Sequence, residues 1–144
     1  MSGLLGSWQL WALLSAAFAA LTAIFAKVGI ENVPSDYATF IRTIVILLAA
    51  GAIVFATGQW QAPQSVSGRT WVFLVLSGLA TGLSWICYFR ALKIGQAAQV
   101  APIDKLSVVM VAVIAAVFLG EKLSALGWIG VLLIGVGAVL VAVA

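Results

Sequence analysis

The sequence predicts an all-helical integral membrane protein that crosses the bilayer five times. Three observations predict it. Only 8% of the 144 residues are charged and 65% are hydrophobic, whereas a soluble domain carries about a quarter of its residues as charges. That leaves too little polar surface to cover a water-soluble globule. Five apolar stretches, at about residues 8–26, 39–57, 71–89, 98–119 and 125–144, reach or approach the roughly 20 residues that cross a hydrocarbon core. Runs such as 44–55 and 108–119 are apolar on every side, where a membrane β-barrel would alternate apolar and polar residues in segments of about ten. The stretches consume most of the chain, so residues 1–144 read as a single five-helix transmembrane domain with no room for a soluble one.

The first stretch is read as a spanning helix and not as a cleaved signal peptide. Residues 1–9 carry no Lys or Arg, and the apolar core is too long for a signal peptide. Asn32-Val33-Pro34-Ser35-Asp36 breaks this helix and offers Ser35 or Asp36 as the N-cap of the second. The longest loop, 58–69, contains Pro63; residues 93–96 and 120–124 supply the last two turns. Helix three carries Gly78-Leu79-Ala80-Thr81-Gly82, a GxxxG spacing that predicts close packing within the bundle or a dimer contact. Ala19, Ala23 and Ala26 in helix one, and Gly127, Gly130, Gly135 and Gly137 in helix five, offer the same kind of contact. Helix five has no charge after Lys122 and suits packing or assembly.

Charge sets the orientation. The side bearing loops 27–36 and 93–96 holds Lys27, Arg42, Arg90, Lys93 and Lys105, against Arg69 and Lys122 on the other. The positive-inside rule places the richer side in the cytoplasm. Without Arg42 and Lys105 the balance falls to three against two. Trp8, Trp11, Trp60, Trp71 and Trp128 lie towards the opposite side and read as an interfacial belt.

Span length forces three charges into the membrane. The uncharged run 43–57 is too short to cross, so completing helix two pulls Arg42 inside the apolar layer. The run 106–119 is shorter still, so helix four starts near Ala98 and places Asp104 and Lys105 about 10 Å in. An intramembrane charge faces a partner or a water-filled cavity. Arg42 and Lys105 stand near helix N-termini, the wrong end of the dipole for a cation, which predicts an acidic partner. Asp104 is the acid at that depth. Adjacent helical residues point about 100° apart, so Asp104 and Lys105 are expected to face different surroundings. Pro102 beside them either bends helix four or sits in its first turn. Trp85, Tyr88 and Ser84 lie near Arg42 in depth, as lining for a planar or cationic substrate or as interfacial anchors. Lys27, Arg90 and Lys93 end their helices, where the dipole favours a cation and a long side chain snorkels to the interface.

Several function classes are excluded or disfavoured. No His and a single cysteine, Cys87, leave no metal cluster, internal disulfide or nucleophile–base pair, so neither an enzyme nor a cofactor is expected. The cations form no run that would bind nucleic acid.

Trp11-Ala-Leu-Leu-Ser15 in helix one, Lys27 at its end and Ala38-Thr-Phe-Ile-Arg42 opening helix two form one set of motifs. Tyr88-Phe-Arg-Ala-Leu92, Phe118-Leu-Gly-Glu121-Lys-Leu123, and glycines at 130 and 137, nine and sixteen residues after Glu121, form another. In these features the chain resembles the half-size, five-helix members of the EamA family in the drug/metabolite transporter superfamily, over nearly its whole length. It departs from the family pattern in helix four, where Val108 or a neighbour stands for the usual proline and Asp104-Lys105 replace apolar residues. The resemblance implies export or exchange of small metabolites, such as amino acids or related compounds, across a bacterial inner membrane. It implies half of a ten-helix inverted-repeat fold, completed by a second copy in a homodimer, parallel or antiparallel. It makes Lys27, Pro102, Glu121, Gly130 and Gly137 structural or family positions, with Glu121 serving the N-terminal dipole of helix five. Arg42, Asp104, Lys105, Trp85 and Tyr88 remain the substrate or coupling candidates. A non-transporting subunit of another complex, or a flippase for lipid or lipid-linked sugar, are the alternative readings.

Overall fold

The computed structural model describes residues 7–144. Residues 1–6, part of the segment whose lack of basic residues argues against a signal peptide, lie outside the described residues. Every regular element described is helical: α1 (Trp8–Gly29), α2 (Ser35–Ala56), α3 (Gly68–Ile94), α4 (Ala97–Asp104), α5 (Leu106–Ile114) and α6 (Ala125–Val143). A 3₁₀ turn, Pro63–Ser65, lies in the α2–α3 loop, and a π turn, Ala115–Leu119, continues α5. By length and composition α1, α2, α3 and α6 are each able to cross a membrane, as is the interrupted helix Ala97–Leu119. The five expected spans are present, with α3 longer at both ends than the apolar stretch predicts.

Two compact units divide the chain. One is Ala26–Lys93, the end of α1 with α2 and α3; the other joins the chain up to Phe25 with Ile94–Ala144. In the first unit Ile30, Phe89 and Leu92 are almost fully buried, beside Ala26 and Thr39. Polar side chains inside its helices satisfy themselves locally. Thr39 Oγ1 donates to the Ser35 carbonyl at 2.9 Å and Thr43 Oγ1 to the Thr39 carbonyl at 2.8 Å, which hides each hydroxyl against its own helix. In the second unit α6 packs on both α4 and α5. Gly135 makes this approach possible: a side chain there would meet Val109 Cγ2 at 3.3 Å.

The turns follow residue chemistry. The N-cap of α2 is Pro34 and not Ser35 or Asp36, both of which lie inside the helix. Pro34 has the extended backbone (φ −56°, ψ 135°) that a cap requires, and Asp36 is thereby freed for a distant partner. At the other end Gly58 adopts φ +66°. Gln59 N–H then bonds to Val54 O and Gly58 N–H to Phe55 O, a Schellman ending that glycine allows without strain. Ser67 Oγ accepts from Thr70 N–H at 3.2 Å at the start of α3, and Ser124 Oγ accepts from Gly127 N–H at 3.1 Å for α6.

Candidate functional site

The site candidates are built on the α2–α3 pair of the first unit. Arg42 is the eighth residue of α2, about 10 Å along from its start. Trp85 and Phe89 stand four apart on α3 and so share one face. The Arg42 guanidinium carbon lies 4.2 Å from the Trp85 ring centroid and 5.4 Å from that of Phe89, within cation–π range. Tyr88 is partly buried and within electrostatic reach of the same guanidinium. Arg42 itself is partly buried and forms no hydrogen bond or ion pair with the described residues of its own unit. Within its own unit, the surroundings of Arg42 are aromatic faces and not an acid. An aromatic quadrupole compensates a cation without a second buried charge.

Nearer the ends of the same helices the polar contacts are denser. Arg90 Nε donates to Asp36 Oδ1 at 2.9 Å and Arg90 Nη2 to Oδ2 at 2.6 Å, a bidentate pair between α3 and the first turn of α2. Lys27 Nζ, in the last turn of α1, donates to the Leu92 carbonyl of α3 at 2.6 Å. Lys93 Nζ, in the last turn of α3, donates to the carbonyls of Ile30, of Glu31 at 2.7 Å and of Val33 at 3.2 Å. Each lysine thus caps carbonyls at the end of the other's helix. Lys27, Arg90 and Lys93, expected to snorkel to the interface, each also have a protein acceptor within reach. A non-local contact of this kind leaves only a weak trace in sequence, basic residues in two last turns and an acid in one first turn.

Asp104 and Lys105 belong to the second unit. Asp104 closes α4 as the eighth residue of its span, and Lys105 is the residue between α4 and α5. Lys105 Nζ donates to Asp104 Oδ2 at 3.1 Å, so the neighbours pair with each other. Lys105 keeps a right-handed helical backbone (φ −71°, ψ −6°), with its N–H 3.3 Å from Ala101 O and 3.1 Å from Pro102 O, so the length of its side chain brings Nζ to its neighbour. Pro102 is the sixth residue of α4, past the first turn. It lacks the N–H that would reach the Ala98 carbonyl, and its ring crowds that carbonyl.

The remaining candidates are dispersed. Glu121 is exposed in the segment between the π turn and α6, four residues before α6 begins, and the N-cap of α6 is Ser124. Gly120 reverses the chain with φ +68°. Around Gly78, Gly82, Gly130 and Gly137 no described atom outside the adjoining helix backbone lies within 4 Å of where a Cβ would stand, so these glycines mediate no close packing within their own units. Phe89, the second ring over Arg42, was not singled out from sequence; its i+4 spacing from Trp85 was the available signal. No group of three His, Cys, Asp or Glu that would hold a metal occurs among the described residues.

Helices of this length and apolar surface make the chain a multi-pass membrane protein. It belongs to the EamA-like transporter family, which it matches over residues 6–143, and is a membrane transporter by that membership. It is similar to a protein of Sinorhizobium sp described as "Uncharacterized transporter in cobO 3'region", with 66% identity over 137 residues, 95% of this chain and 97% of the relative. It is also similar to human "Solute carrier family 35 member E4", with 29% identity over 112 residues, 78% of this chain but 32% of that protein. No solved structure matches the chain.

Proposed function

We propose that the protein is a transporter subunit of a bacterial inner membrane that exports or exchanges small metabolites, such as amino acids or related compounds, by alternating access as a homodimer. The observation that carries this reading is the family match over residues 6–143 of a chain with five spanning helices. Five spans are an odd number, so a second copy inserted in the opposite sense supplies the other half of an inverted ten-helix arrangement. Arg42 serves as the substrate anchor, because a charge at that depth in a span is costly unless it has a task. If an ion is coupled, Asp104 carries the proton, since it is the acid within the interior of a span, and Lys105 beside it responds to its charge. Pro102 and the interruption at Lys105 supply the mobile element, as broken helices do in other transporters.

Counterflow of a radiolabelled metabolite panel in proteoliposomes tests the proposal. Wild-type protein is expected to exchange at least one class of metabolite, with Arg42→Gln and Asp104→Asn each reducing flux more than tenfold. Wild-type flux in both variants would remove the charge-based mechanism, and absence of flux from every preparation would remove the transporter reading.

A further inference from the structure

We propose that Arg42 presents an edge-on seat for an oxyanion, and that Trp85, with Phe89, is the positioning residue that holds it so. The inference rests on the transport reading only in calling the bound molecule a substrate.

A guanidinium has two π faces and a rim of five N–H donors. In this structure one face is taken: the guanidinium carbon lies 4.2 Å from the Trp85 centroid and 5.4 Å from that of Phe89. The rim is not taken by its own unit, where Arg42 has no hydrogen bond or ion pair with a described residue. Stacking and rim donation do not compete, because a ring holds the plane while the donors point outward within it. Unpaired donors about 10 Å into a spanning helix are costly to leave dry, which makes the rim a place for an acceptor. The carboxylates of the same unit do not supply it. Asp36 is held in a bidentate pair by Arg90, and Glu31 is exposed in the turn after α1.

The geometry also selects the ligand. Two parallel N–H groups match two oxygens of a carboxylate or phosphate. The Trp85 face that a cationic or planar ligand would use is occupied by the protein's own cation. The Asp36–Arg90 pair sits six residues before Arg42 on α2 and five residues after Trp85 on α3, in the same register that sets Arg42 over Trp85.

A matched series tests this: benzoate, phenyl phosphate and benzamide, which share a ring and differ in the head group. Binding to purified protein in lipid nanodiscs is read as the half-saturating concentration for thermal stabilisation. Benzoate or phenyl phosphate is expected to stabilise and benzamide not to, and the better of the two acids names the oxyanion. Arg42→Lys, which keeps the charge but loses the planar rim, is expected to weaken that binding at least tenfold. Trp85→Leu is expected to weaken it by about tenfold, with Trp85→Phe restoring most of it; a merely structural role for Trp85 would show no such aromatic rescue. The melting temperature of each ligand-free variant, and the elution of each as a single species, separates loss of the seat from loss of the fold. Equal binding of benzamide, or wild-type oxyanion binding in either Arg42→Lys or Trp85→Leu, overturns the proposal. Metabolite flux that neither acid inhibits and Arg42→Lys leaves intact also sinks it, while leaving the transporter reading standing. Oxyanion binding with no flux of any metabolite leaves the seat and sinks the transporter reading instead.

Discussion

At the scale of single residues, the α1–α3 end of the first unit shows how much the value of a charge depends on its partners. Arg90 and Asp36 form a well-shaped bidentate pair, yet their side chains are 62% and 54% exposed, and exposed pairs contribute little. Asp36→Asn and Arg90→Gln are therefore expected to leave the melting temperature almost unchanged, with whatever coupling a double-mutant cycle detects fading in high salt. Lys93 is different, because it satisfies three carbonyls at the end of α1 that have few other donors. Lys93→Met removes that charge-assisted donor and leaves those carbonyls poorly satisfied. A loss of about 1–3 kcal/mol is expected, read from thermal or denaturant unfolding in matched lipid or detergent. Lys27→Met, which removes the donor to the Leu92 carbonyl, is expected to act in the same direction.

At the scale of elements, the fourth span is the informative one. Its helix stops at Lys105 and restarts at Leu106, three residues after Pro102. Pro102→Ala restores a backbone donor and removes the ring, so slower amide exchange around residues 102–106 is expected, and with it slower counterflow if the break is the mobile element. In α6, Gly135→Leu forces a side chain onto Val109, already 3.3 Å from a Cβ. It should destabilise by about 1–3 kcal/mol.

Much of this was legible in the sequence, for definite reasons. Spanning helices announce themselves because lipid demands about 20 apolar residues and internal backbone bonding. The same length arithmetic extends the two spans back past Arg42 and Asp104, and each is the eighth residue of its helix, α2 and α4. What it did not show were the partners. Whether Arg42 meets an acid or a ring, and whether Lys93 reaches Ile30 across more than sixty residues of chain, depends on helix rotation and contact, which a run of uniformly apolar residues leaves unspecified. Capping also moved. Pro34, rather than the more polar Ser35, begins α2 because its fixed φ suits the entry and Asp36 is engaged elsewhere.

At the scale of the whole molecule, the described chain keeps few large side chains away from its surroundings: Ile30, Phe89 and Leu92 are the notable ones. Most of its large apolar residues face outward, as they should when the solvent is hydrocarbon. The GxxxG glycines 78 and 82 have no described neighbour from their own unit, beyond the adjoining helix backbone, within 4 Å of where a Cβ would stand. If the protein works as a homodimer through that face, Gly82→Leu should lower the yield of cross-linked dimer in membranes while leaving the monomer folded and its melting temperature close to wild type. Orientation is the other molecular-scale question, because the interfacial cations divide three against two. Reporters fused at the C-terminus, one active in the cytoplasm and one outside it, are expected to signal together for an antiparallel pair; one signal alone fits a single topology.

The π turn at Ala115–Leu119 has a consequence for how the chain tolerates changes of length. Such a turn is a helical turn that holds one residue more than the α-helical ladder needs, and the surplus is absorbed on the spot. Deleting Val117 is therefore expected to let the ladder close as an ordinary α-helix, with Gly120 and the turn into α6 still presented in the same direction. Deleting Val111, in the regular part of α5, turns everything after it by about 100° around the helix axis and swings Gly120 away from its reversal. The first protein should elute as a folded species and the second should not, which would make the end of the fourth span a position where a transporter of this kind can gain or lose a residue without changing its shape.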